Sequence, residues 1–93
     1  MDLFMKAVIT VIGKDSVGLI SNMSAVCAEC NVNIVDITQK VLDDMFVMMM
    51  ITEIDGLNVK FTEFVDRMNK RGKEMGLEVH TMHEDIFNAM HKI

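Results

Sequence analysis

From Met5 to Ile12 the chain is apolar on both parities, with Ala7, Ile9 and Val11 on one side and Val8 and Ile12 on the other. A β-branched run that buries both faces reads as a strand in the middle of a sheet. From Ser16 to Cys30 the spacing changes. Leu19, Met23, Val26 and Cys30 recur at helical intervals and Ile20 and Cys27 widen the stripe, which predicts an amphipathic helix. Residues 33–41 alternate, with Val35, Ile37, Gln39 and Val41 against Asp36, Thr38 and Lys40, as a strand with one wet face at a sheet edge would. Asp43-Asp44 predicts a hairpin turn. Beyond it, Met45 to Ile54 is apolar on both sides, Phe46, Met48 and Met50 against Val47, Met49 and Ile51, a second central strand.

Asp55-Gly56 breaks that strand and Asn58 is placed to cap a second helix, whose buried stripe is Phe61, Phe64, Val65, Met68 and Met75 and which Gly76 ends. Leu77, Val79 and Thr81 then alternate with Glu78 and His80 as a short second edge strand. Right-handed crossovers in each half put the first and third strands in the middle. The fold class expected is an α/β (α+β) two-layer sandwich, a ferredoxin-like βαββαβ with an antiparallel four-stranded sheet and a short C-terminal helix. Residues 1–93 are expected to make one domain, with 84–93 as the tail helix. With helices on one sheet face, the apolar residues of the other need a cover. The candidates are the tail, through Ile86, Met90 and Ile93 at i, i+4 and i+7, or another subunit. Eleven methionines would let such a surface repack, although the simpler reading, and the favoured one, is that many of them fill the core.

Composition narrows the partners. A net charge of -5 argues against nucleic acid, because Lys70, Arg71 and Lys73 sit among Glu63, Asp66 and Glu74 without a stacking aromatic. The apolar runs are short of the ~20 residues that a membrane span needs. No secretory leader is read at the start, and two cysteines fit a reducing compartment, so a cytoplasmic location is expected.

The chemistry worth testing begins at Val11-Ile-Gly-Lys-Asp-Ser-Val-Gly-Leu-Ile20, which joins a strand to a helix. Asp15 can accept hydrogen bonds from the first helical turn, and Gly18 leaves no side chain over the remaining N–H groups, so a carboxylate could dock there. Asp15 reads equally as a helix cap or as the partner of a ligand ammonium. Asn33 offers donor and acceptor to an amino acid, or simply ends a turn. Cys27-Ala-Glu-Cys30 has redox spacing, but at a helix C-terminus on the buried stripe, which favours packing. His80, His83 and Glu84 form an alternative metal set, with His91 as an added donor, yet His80 and His83 fall on opposite sides of a continuing strand. No nucleophile and base, and no carboxylate pair, is nominated by a motif, so no enzyme and no cofactor is expected.

In its loop, in Asn31-Val-Asn-Ile-Val-Asp-Ile-Thr-Gln39 and in Phe46-Val-Met-Met-Met50, the chain resembles an ACT domain, the amino-acid-sensing module of bacterial and archaeal metabolism. Its ending, His83-Glu-Asp-Ile-Phe-Asn-Ala-Met-His91, is similar to a stand-alone, single-domain ACT family of prokaryotes. The resemblance implies a homodimer or higher homo-oligomer with edge strands side by side and an amino-acid pocket at the interface. Carried onto this sequence, the ligand-binding positions are Gly13, Lys14, Asp15, Ser16, Val17, Gly18 and Leu19, with Asn31, Asn33 and Ile34. Val17 stands where the common pattern has proline. The rival readings are a protein-interaction or oligomerisation module with a protein partner and no small ligand, and a metal-responsive module using His80 and His83.

Overall fold

The computed structural model describes residues 5–14 and 17–90. Seven elements follow in the order β1 (Lys6–Lys14), α1 (Leu19–Glu29), β2 (Asn33–Leu42), β3 (Met45–Glu53), α2 (Phe61–Glu74), β4 (Glu78–His83) and α3 (Glu84–Met90). The four strands form one sheet in the order β2-β3-β1-β4, and the neighbouring strands are antiparallel. The expected central and edge positions are those observed.

Ala7, Ile9 and Val11 of β1 and Phe46, Met48 and Met50 of β3 meet Leu19, Met23, Val26 and Cys27 of α1 and Phe64 and Met68 of α2 in a single buried core. Thr52 is buried among them, and its hydroxyl donates to the Ala7 carbonyl at 2.9 Å. That bond removes the cost of leaving a buried hydroxyl unpaired. Ile20, expected to widen the helix stripe, is instead exposed, whereas Cys27 is buried in the core as expected.

Both long helices stop in the same way. After α1, the Val32 N–H donates to Cys27 O and the Asn31 N–H to Ala28 O, with Asn31 at φ 59°. After α2, the Leu77 N–H donates to Gly72 O and the Gly76 N–H to Lys73 O, with Gly76 at φ 72°. Each is a Schellman closure, in which a left-handed residue turns the chain back and satisfies the last carbonyls. Glycine adopts that conformation without strain, and asparagine is among the few other residues that tolerate it.

Three local expectations change. Asn58 does not cap α2, whose N-cap is Lys60; instead its side chain donates to Glu29 O at 3.0 Å and its N–H to Cys30 O, tying the β3–α2 loop to the end of α1. A β-bulge between Ile34 and Asp36 breaks the alternation of β2, so Ile34 and Ile37, rather than Val35 and Ile37, pack against the core. The extra residue, Val35, is exposed. In the tail, α3 follows β4 directly and lies against β1 and β4 on the face opposite α1 and α2. Phe87 turns to the sheet, whereas Ile86 is 56% exposed and Met90, at the groove rim, 65% exposed. Ile93 lies outside the described residues.

Gly72 marks the closest approach of α2 to the sheet, for a Cβ there would collide with Val79 Cγ2. Alanine normally favours a helix interior by ~1 kcal/mol over glycine. Here the overlap reverses the sign: Gly72→Ala is expected to lower stability by about 1–3 kcal/mol in urea titrations, and Val79→Ala in the same chain to recover part of that loss.

Candidate functional site

At the end of β1 the chain crosses from the sheet to α1. Gly13 stands against the α2–β4 turn, where a Cβ would come within 2.6 Å of Leu77 Cδ2 and 3.2 Å of Gly76 O. Lys14 and Val17 are exposed, and Leu19 is buried in the core. Asp15 and Ser16 lie outside the described residues, and with them the proposed Asp15 cap. Gly18 is not inside the first turn but at the N-cap, at φ 80° and ψ 10°. It supplies no side-chain oxygen to the helix. Its carbonyl instead accepts from the Asn22 N–H at 3.0 Å, from Asn22 Nδ2 at 2.7 Å and from Ser21 Oγ at 3.0 Å. The first N–H groups of α1 therefore have no side-chain cap among the described residues.

The strand order brings a second set of residues to this helix end, one that the sequence reading did not nominate. Lys14 pairs with Met45, and Met45 with Leu42. The β2–β3 hairpin thus lies at the same end of the sheet as the β1–α1 loop. Between them opens a groove of about 750 Å³, lined by Gly18 to Ser21 on the helix side and by Gln39 to Val41 and Phe46 on the sheet side. Phe46 is buried, whereas Val41 and Ile20 are exposed. Gln39 closes the quoted Asn31–Gln39 motif, so the signal for the missing wall was the strand order rather than a residue pattern.

Asn31, Asn33 and Ile34 lie at the other end of β2. Asn31 is the left-handed residue that closes α1, and its side chain donates to Gly56 O at 2.7 Å. Asn33 pairs with Glu53 across the ladder and donates to its Oε1 at 2.9 Å. At ~3.3 Å per residue, the six residues from Asn33 to Gln39 separate these side chains from the groove by a distance on the order of 20 Å. One chain does not bring the two halves of the nominated ligand set together.

The histidines diverge as strand alternation requires. His80 lies beside Thr10 and its Nε2 donates to Glu78 Oε1 at 3.1 Å, whereas His83 lies beside Ala7 on the other face, its Nδ1 receiving the Asp85 N–H at 3.2 Å. Glu84 starts α3. Among the described residues no group of three metal-binding side chains converges, and His91 lies outside them.

Cys27 and Cys30 are buried free thiols at the end of α1. Burial first, and the neighbouring Cys30 second, push the Cys27 thiol up from 9.0 to about 11. Thiolate reactivity is suppressed in such a setting.

An antiparallel β2-β3-β1-β4 sheet with two helices on one face defines a ferredoxin-like α+β domain. A family model described as the ACT domain matches residues 6–82, and the chain belongs to that family. Two of its relatives are the UPF0237 proteins of Listeria innocua, 44% identical over 96% of this chain and 100% of its own length, and Methanocaldococcus jannaschii, 41% identical over 95% and 98%. Among solved structures it is similar to an ACT domain protein from Streptococcus pneumoniae, with TM-score 0.78 and 36% identity over 95% of this chain and 99% of that one.

The buried thiol gives a pH signature. Between about 9 and about 11 the unfolded chain releases the Cys27 proton while the folded chain holds it, so stability falls as pH rises through that window. Urea unfolding of the wild type and of Cys27→Ala, followed from pH 8 to 11, is expected to show a steeper loss in the wild type. Equal slopes would contradict the assignment.

Proposed function

We propose that this ACT domain is a regulatory module that takes an amino acid or a similar small carboxylate at the β1–α1 loop, in a pocket that two copies of the chain complete. The observation that carries the reading is the open groove at the start of α1. Its helix side presents first-turn N–H groups and the positive end of the helix dipole, both of which favour an anion. Its sheet side, Val41 over buried Phe46, offers apolar surface to the rest of the ligand.

The groove is exposed on its outer side, and Asn33 stands at the far end of its own β2. A second copy set antiparallel along the β2 edge would bring its Asn33 toward the loop and supply the missing wall, as the family resemblance leads one to expect. Asn33 of that copy, or Asp15 of the loop, is then the candidate partner of a ligand ammonium. Each pocket would borrow from both chains, so ligand binding would stabilise the dimer, and a protein reading the dimer would read the ligand.

The test is thermal unfolding, followed by circular dichroism, against the twenty amino acids and common metabolic carboxylates. A ligand at a hundred times its dissociation constant adds ~2.7 kcal/mol, several degrees in a domain of this size. Ser21→Asp is the informative variant, because Gly18 at positive φ would be strained by a side chain. A carboxylate in the first turn suits the helix dipole, so the fold is expected to keep or gain up to about 1 kcal/mol, while the ligand-induced shift disappears. An unchanged shift in Ser21→Asp would remove the site, and a flat panel would remove the small-ligand reading.

A further inference from the structure

The strand register decides which side chains the sheet turns toward the groove at the start of α1. Gln39, Lys40 and Val41 of β2 pair with Met48, Val47 and Phe46 of β3. Paired residues share a face of the sheet, and Phe46 and Met48 belong to the core beneath the helices. Gln39 and Val41 therefore face the helix side. Lys40 between them points to the opposite face, and Lys14, paired with Met45, points the same way.

The wall left on the helix side is apolar. Phe46 is its buried floor, and exposed Val41 and Ile20 flank it from the strand and from the helix. Single exposed apolar side chains are ordinary on a protein surface. Here two of them line one groove whose helix end favours an anion. Gln39 stands two residues, ~7 Å, further along β2, beside Met48 rather than Phe46, and its amide brings a donor and an acceptor but no charge. Asp43 and Asp44 occupy the turn after β2, which makes a basic side chain the competitor to exclude by experiment.

We propose that this groove selects an α-amino acid with an uncharged aliphatic side chain, laid over Phe46 between Ile20 and Val41. The inference rests on the small-carboxylate reading above and names the ligand class for that site. With the carboxylate at the first-turn N–H groups, the side chain leaves water as it covers the three apolar residues, and this supplies the selectivity. A charged or amide side chain in the same place loses hydration and gains no partner from Ile20, Val41 or Phe46.

The experiment is calorimetric titration of the whole chain with L-leucine, L-asparagine, L-alanine, L-aspartate and L-lysine. Asparagine resembles leucine in branching and size but not in polarity, and alanine keeps the amino and carboxylate groups without the larger side chain. Leucine is expected to bind about tenfold or more tightly than each of the others. Val41→Thr keeps a branched strand former at an exposed position and is expected to reduce the leucine-to-asparagine affinity ratio about threefold or more, with its urea midpoint unchanged. Ser21→Asp is expected to abolish leucine binding, as the shared site requires. Leucine binding no better than alanine, asparagine, aspartate or lysine, a ratio unmoved by Val41→Thr, or leucine binding retained in Ser21→Asp would overturn the inference. A polar or charged amino acid that binds where leucine does not would leave the site standing and overturn the selection alone, whereas a flat response to the whole panel of amino acids and carboxylates would overturn both.

Discussion

The structure depends on β1 being enclosed. Its backbone pairs with β3 on one side and β4 on the other, and Ala7, Ile9 and Val11 have no exposed surface. A strand in that position has no free hydrogen-bonding edge, so the elements that follow must reach it from both flanks. The first helix crosses over to let β2 and β3 approach one flank, and the second crosses over to let β4 approach the other. Both crossovers put their helices on the same face. Two grooves follow from this arrangement: one where β1 leaves the sheet for α1, and another on the face that the crossovers leave to α3.

Much of this was legible because burial on two sides leaves a mark that burial on one side does not. The first and third strands are apolar on both parities, and this agrees with the order that right-handed crossovers impose on the sheet. Gly76 was legible as a helix end because a left-handed closure favours glycine so strongly. Its counterpart Asn31 was not, since asparagine also serves in turns and ligand sites and only the hydrogen bonds to Ala28 and Cys27 show which role it holds here. The bulge at Val35 was hidden for a related reason. The alternation around it is chemically regular, and only pairing with β3 shows that one residue has been set aside. In the tail, spacing pointed to Ile86, but α3 leaves β4 without a loop and the strand therefore fixes its rotation, bringing Phe87 to the sheet.

The candidate site was half visible. The loop could be read because a strand, a glycine and a helix start are adjacent in sequence. Its other wall, Gln39 to Val41 with Phe46, comes from a hairpin more than twenty residues away, as the numbering shows, and no local pattern marks it. Asn31 and Asn33 show the complementary limit. They were grouped with the loop by family resemblance, whereas in one chain they are engaged at the far end of β2 with Gly56 and Glu53. Within one chain, therefore, the nominated residues fall into two groups at opposite ends of β2 rather than one site.

The bulge in β2 also governs how this sheet can grow. A regular outer strand offers a continuous row of donors and acceptors to any extended segment, including misfolded chains. With Val35 out of register, the regular part of the ladder runs only from Asp36 to Leu42, and the added local twist turns the preceding residues away from a straight neighbour. Extension is thereby confined to the half of the edge next to the hairpin. A shortened regular edge disfavours the open-ended stacking that a longer flat edge would invite.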